Sequence, residues 1–185
     1  STASIVSAPA DVVFFADADT MDAVDALLAR GTRRDLLGNE LVLVVPSAAA
    51  WTPAGAADLA SPSLGHLALA GENVPAGRYA RAALTHVWTE VEPKVVTGDN
   101  VRTTLAWVSR GEAEAGVVYA TDARVESTVR TAFAFPPDSH PPIVYPAAVV
   151  AASKHPEEAE AFLAFCASEG GQALFAEAGF RPVPK

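Results

Sequence analysis

Leu41-Val42-Leu43-Val44-Val45-Pro46 decides how the rest of the chain is read. Five aliphatic residues in a row, with no polar alternation, describe a strand covered on both faces, and the proline closes it. A second apolar run, Ile143–Ala152, has the same character and is interrupted by Pro146. Two such strands bracketing a long middle section point to a discontinuous arrangement of two lobes. Residues 41–142 would make one lobe, and residues 1–40 plus 143–185 would together make the other.

Outward from these strands, apolar runs alternate with helical spacing. Asp11-Val12-Val13-Phe14-Phe15-Ala16 reads as another strand buried on both faces. A helix is expected from Asp19 as N-cap, with Met21, Val24, Leu27 and Leu28 in phase and Arg30-Gly31 as the stop. Residues 46–63 are rich in Pro, Gly, Ser and Ala and read as loop, with one helical turn near 56–60. Strands are expected at 66–70, 94–97, 115–120 and 131–135, and helices at 75–90 and 101–110. Phe135-Pro136-Pro137-Asp138-Ser139-His140-Pro141-Pro142 is too proline-rich to continue a sheet or a helix and reads as a rigid connector. Pro156-Glu157-Glu158 opens a helix whose buried stripe would be Phe162, Leu163 and Cys166, and a last helix covers 171–178. Strands alternating with helices indicate an α/β fold with a mostly parallel sheet.

Composition bounds the function. The chain has 185 residues, half of them apolar, which is enough for a globular core. With 13 basic and 22 acidic side chains its net charge is −9, which argues against nucleic acid as a partner. No apolar run approaches the 18 or so residues of a membrane span. The opening Ser1-Thr2-Ala3-Ser4 has neither the charged nor the apolar region of a signal peptide, and the missing Met suggests a processed or trimmed chain. One cysteine excludes a disulfide framework, and four scattered histidines show no zinc-like spacing. A nucleophile elbow and a phosphate loop of the P-loop type are both absent, so no catalytic residue, cofactor or metal ligand is assigned and an enzyme is disfavoured.

The informative features are two helix starts and a strand end. Val74-Pro75-Ala76-Gly77 and Asp99-Asn100-Val101-Arg102 each follow a strand and open a helix. Free N–H groups and the positive end of the helix dipole can bind an anion there without formal charge. Asp99 or Asn100 equally serves as an ordinary N-cap. Tyr119 ends a strand, at the edge where open α/β sheets place ligands, and its hydroxyl could donate to an anion or simply pack at the rim.

These pieces belong to an ordered set. Ala8-Pro9-Ala10-Asp11-Val12-Val13-Phe14-Phe15-Ala16-Asp17, Leu37-Gly38-Asn39-Glu40-Leu41, Val74-Pro75-Ala76-Gly77-Arg78-Tyr79-Ala80, Asp99-Asn100-Val101-Arg102, Gly116-Val117-Val118-Tyr119, Phe135-Pro136-Pro137-Asp138-Ser139-His140, Tyr145-Pro146-Ala147 and Ala178-Gly179-Phe180 occur in this order. Together they resemble the periplasmic molybdate-binding proteins, the solute receptors of molybdate ABC transporters. The resemblance implies a type II periplasmic-binding-protein fold, with two α/β lobes joined by a two-strand hinge and closing on a tetrahedral oxyanion. It puts ligand contacts on the backbone N–H of Ala76 and of Val101 and on the Tyr119 hydroxyl, with Ser1 an approximate match to a serine donor. It further implies molybdate or tungstate as ligand, a membrane permease as partner, a monomer, and a periplasmic location. The family's opening strand–helix segment, which carries a second serine, has no counterpart here, so the first lobe is expected to be incomplete by about 30 residues or more. The alternatives are a receptor for another oxyanion, such as sulfate or thiosulfate, and a truncated sensor or interaction module that does not transport.

Overall fold

The computed structural model describes residues 10–184. Its strands and helices, in chain order, are β1 (Val12–Phe14), α1 (Ala18–Asp22), β2 (Arg34–Gly38), β3 (Leu41–Pro46), β4 (Leu67–Ala70), α2 (Pro75–Ala83), α3 (Trp88–Val91), β5 (Val95–Gly98), α4 (Val101–Ser109), β6 (Ala115–Tyr119), α5 (Ala120–Val125), β7 (Val129–Ala134), β8 (Val144–Val149), α6 (Pro156–Ala167) and α7 (Glu169–Glu177). The chain divides into two compact units. Unit 2 is Asn39–Pro142, and unit 1 is made of the residues up to Gly38 and from Ile143 onward.

Unit 2 is built on a five-stranded sheet of order β5-β4-β6-β3-β7. The Leu41–Pro46 run is β3, buried from Leu41 to Val45. It lies between β6 and β7 and is antiparallel to both. Only β4 with β5 and β4 with β6 pair in parallel. The expectation of a mostly parallel sheet is therefore corrected to one parallel trio in a mixed sheet. A continuous apolar run reports burial on both faces but carries no information about strand direction. Val42, Val44, Ala68, Leu105, Val108 and Val118 pack the layer between α4 and the sheet. Side chains pin the long loop after β3. Lys94 Nζ donates to the carbonyls of Leu59, Ala60 and Ser61, and Arg130 Nη2 to those of Ala49 and Trp51.

Unit 1 has a three-stranded antiparallel sheet of order β1-β8-β2. Leu36, Leu37, Ala147, Val149, Ala159, Leu163 and Cys166 form its core under α6. β2 was not anticipated, since Arg34-Asp35 breaks any apolar run. The helix expected from Asp19 is also revised. Asp17 is the N-cap, its Oδ1 accepting from Thr20 N at 2.7 Å, and α1 ends at Asp22. A 3-10 turn follows, and the backbone then turns to the sheet, with Ala29 N donating to Val149 O and Leu28 bridging Val150. The helix expected over 75–90 breaks at Leu84, where Thr85 Oγ1 back-bonds to the carbonyls of Arg81 and Ala82. Two burial expectations fail in unit 1: β1 is not covered on both faces, since Phe14 is exposed, and Phe162 is exposed rather than part of the buried stripe of α6.

Candidate functional site

One edge of the unit 2 sheet collects the chemistry. In the parallel trio Ala70 pairs with Gly98 and Ala68 with Gly116. The C-terminal ends of β4, β5 and β6 therefore lie level, with Tyr119 at the height of Gly71. From these neighbouring ends start α2, α4 and α5. Three helices thus point their positive ends at a single sheet edge, the place where an anion is best held by backbone donors.

At α2 the first turn leaves one donor. Pro75 has no N–H, and those of Gly77 and Arg78 both bond Val74 O, at 2.9 and 3.1 Å. The Ala76 N–H is left without a backbone acceptor among the described residues, and the residue is 1% exposed. Gly77 makes this position possible. A Cβ there would sit 2.1 Å from Gly71 O and 2.4 Å from Ala70 O, so α2 starts directly against the end of β4 only because residue 77 lacks a side chain. Arg81 fastens the same corner, Nη1 donating to Ala70 O at 2.9 Å and to Gly77 O at 3.0 Å. Its Nε lies 3.5 Å from a Glu72 carboxylate oxygen, so this guanidinium is committed to holding the strand end.

At α4 the side chain of Asn100 is the N-cap, accepting from Thr103 N at 3.0 Å, while Thr104 N donates to Asn100 O. Among the described residues the N–H groups of Val101 and Arg102 find no backbone acceptor. Asn100 is therefore an N-cap, and that role leaves Val101 N–H free to donate.

Tyr119 closes β6 and is the N-cap residue of α5; it is 7% exposed and its hydroxyl oxygen is shielded from solvent. Sequence reasoning passed over Asp122, three residues on, although a polar N3 residue reaching back to the N-cap is a known spacing. Its carboxyl takes a hydrogen bond from the Tyr119 backbone. Burial raises its pKa above the ordinary 3.8, against the lowering effects of that bond and of the Arg102 charge. Asn39, also passed over, is buried where the chain enters unit 2. Its Nδ2 donates to Thr121 Oγ1 at 2.9 Å, and its Oδ1 accepts from Glu40 N at 2.8 Å. The connector packs nearby, the His140 ring 5.9 Å from that of Tyr79.

Ala76, Val101 and Tyr119 thus sit on one edge of one sheet. Ser1 lies outside the described residues. Cys166 is buried in unit 1 with its thiol pKa pushed up by burial. Among the described residues no group of three or more His, Cys, Asp or Glu is placed to hold a metal ion, and no helix is long and apolar enough to cross a membrane.

The sequence profile of the bacterial extracellular solute-binding proteins matches residues 4–181. The chain belongs to this family. It is 35% identical to the molybdate-binding protein ModA of Haemophilus influenzae over 188 residues, covering 94% of this chain and 71% of that protein. It is 40% identical to ModA of Escherichia coli over 162 residues, covering 77% of this chain and 59% of that one. Among solved structures, the periplasmic molybdate-binding protein of Azotobacter vinelandii superposes with a TM-score of 0.84 at 21% identity, covering all of this chain and 83% of the other. The periplasmic-binding-protein fold is therefore the fold of this solute-binding chain, which spans about 60 to 70% of the length of these two curated relatives.

Proposed function

We propose that this chain is an oxyanion receptor for molybdate, with tungstate as a second ligand, and that unit 2 supplies its donors through Ala76 N–H, Val101 N–H and the Tyr119 hydroxyl. The observation that carries the reading is the level edge of β4, β5 and β6, where two helix starts keep uncommitted N–H groups beside a buried phenol. Identity of 35–40% to proteins named for molybdate binding supports the choice of ligand. Hydrogen bonds to a charged acceptor are the strong kind. Neutral donors also avoid burying a countercharge, with its own desolvation cost. They let a chain of net charge −9 take an anion, because contacts at hydrogen-bond range outweigh a diffuse field that salt screens within about 8–10 Å. The same reading includes capture between two lobes, delivery to a membrane permease, an extracytoplasmic location and a monomeric receptor.

Isothermal titration with molybdate, tungstate, sulfate and phosphate tests it. Saturable binding of the first two, with the last two weaker by about tenfold or more (about 1.4 kcal/mol), is the expected result. Tighter binding of sulfate would transfer the site to another oxyanion. Absence of molybdate binding both in this chain and in a chain lengthened to match its relatives would leave an interaction module and end the receptor reading.

A further inference from the structure

Arg81 is placed against the ordinary logic of its helix. It stands in the last turn of α2, where a cation normally serves the C-terminal carbonyls and the negative end of the dipole. Its head group instead reaches back one turn, so that Nη1 donates to Gly77 O at 3.0 Å and to Ala70 O, at the end of β4, at 2.9 Å. A cation held toward the positive end of a helix costs stability, and an anion bound at that same end would offset the cost. The rest of the head group is held as closely. Nε is shielded from solvent and makes no hydrogen bond among the described residues, with a Glu72 carboxylate oxygen 3.5 Å away. The guanidinium lies over the Trp88 ring, Cζ 5.7 Å from its centroid, within the range of a cation–π contact. The Arg81 side chain is 19% exposed, so these contacts are made largely out of water. Two carbonyl oxygens brought to one nitrogen repel each other, and a cationic donor between them turns that repulsion into two charge-assisted bonds. The clamp joins the last residue of β4 to the residue that follows Ala76. Gly77 lets the two backbones touch, and Arg81 fixes the distance at which they do.

We propose that Arg81 is the positioning residue of the oxyanion site: by bridging Ala70 O and Gly77 O it sets the direction of the Ala76 N–H, and through that donor the affinity for the anion. Glu72 and Trp88 orient the guanidinium for this task. The inference rests on the receptor reading above for its ligand. Geometry rather than charge is the means. A planar guanidinium meets two carbonyls, a carboxylate and an aromatic face at once, whereas an ammonium is a point charge without a fork.

The test combines molybdate titration with the amide resonances of the ligand-free chain, both recorded well below the Tm for wild type, Arg81→Lys and Trp88→Leu. Arg81→Lys keeps the charge and loses the fork. It should weaken molybdate binding by about tenfold or more at unchanged stoichiometry, since a misplacement of about 1 Å can cost about 100-fold. Without ligand it should shift the amide resonances of Ala76 and Gly77 and leave that of Val101 in place. Trp88→Leu leaves both carbonyl bonds possible and should do the same to a smaller degree, and it decides the matter if Arg81→Lys does not fold. Wild-type affinity in a folded Arg81→Lys chain would overturn the proposal, because charge alone would then suffice. Equal shifts at Val101 would also overturn it, as a sign of general loosening of unit 2. A merely structural role would lower the Tm and the fraction of chains that bind, but not the affinity of those that do. A wild-type chain that binds no molybdate ends the receptor reading. The Ala76 resonance then still decides whether Arg81 sets this donor, and an unmoved resonance refutes it.

Discussion

Gly77→Ala probes the site with the smallest possible addition. The new Cβ would stand 2.1 Å from Gly71 O, 2.4 Å from Ala70 O and 2.8 Å from the Ala70 carbonyl carbon, all of them backbone atoms that no rotamer change can move. Ordinary contact needs about 3.4 Å or more, so α2 must retreat from the end of β4 by roughly 1 Å. Overpacking of this sort costs about 1–3 kcal/mol of stability. The functional loss should be larger in proportion, because the Ala76 N–H rides on the displaced turn and a 1 Å misplacement of a positioning group can cost about 100-fold. Gly55→Ala is the control, having nothing within 4 Å of its added Cβ. Thermal unfolding and molybdate titration of both variants make the assay. Gly77→Ala should lose both Tm and affinity, and Gly55→Ala neither. Wild-type affinity in a folded Gly77→Ala protein would refute the placement of the anion at the start of α2. Loss of stability alone would mean that Gly77 serves packing only.

Three further outcomes follow from the same edge. Tyr119→Phe should weaken molybdate binding by about 1.5–3 kcal/mol, the range for a hydrogen bond to a charged group, and titration showing unchanged affinity would reduce Tyr119 to a packing role. Asp122 has its pKa raised in the fold, so the folded state holds more protons than the unfolded one just above pH 3.8; its contribution to stability is greatest below that value and declines as pH rises through the raised pKa. Asp122→Asn should flatten that decline in chemical unfolding measured across the acid range, and should flatten any fall in anion affinity over the same window; slopes parallel to wild type would show that another group is responsible. Asn39→Ala leaves Thr121 Oγ1 and the Glu40 N–H without their partner in a buried setting and should cost about 1–3 kcal/mol in denaturant unfolding, whereas a cost near zero would mean that water replaces the amide.

Much of unit 2 was legible because its signals are local. β3 occupies the residues its apolar run predicts, Pro75 stands at the first helical position of α2, and Gly111 ends the α4 region with a φ of 71°. Helix starts after strands are equally local, which is why the openings of α2 and α4 stood out as anion-binding candidates, while the choice of Ala76 and Val101 within them is what the family resemblance implies. What could not be read depends on partners distant in sequence. Strand direction in the sheet, the conversion of the 24–29 segment from helix to sheet contact, and β2 with its two charged residues all follow from pairing with β8 or with neighbouring strands. Asp122 and Asn39 were missed for different reasons. The first sits at a capping spacing too common in sequences to mark a residue by itself, and the second reaches a hydroxyl 82 positions away.

Those two residues join the point where the chain enters unit 2 to the strand end that carries the phenol. Glu40 O accepts from Ala120 N at 2.9 Å, Asn39 bonds Thr121, and Leu41 pairs with Tyr119 across the sheet. Residues 39–41 therefore hold three successive residues of the β6–α5 corner. On the far side of β3, Phe135 N donates to Leu41 O, so the outgoing strand is tied to the same residue just before the proline connector. A rotation of the backbone at Asn39 or Glu40 cannot occur without disturbing either Tyr119 or these bonds. Buried hydrogen bonds are costly to leave unmade, so the corner behaves as one piece. It follows that substitutions at residue 39 or 40, which touch no proposed donor, should alter anion affinity through Tyr119, and should do so less in a Tyr119→Phe background. A double-mutant cycle between Asn39→Ala and Tyr119→Phe reads this directly, and strict additivity would show that the entry strand and the phenol act independently.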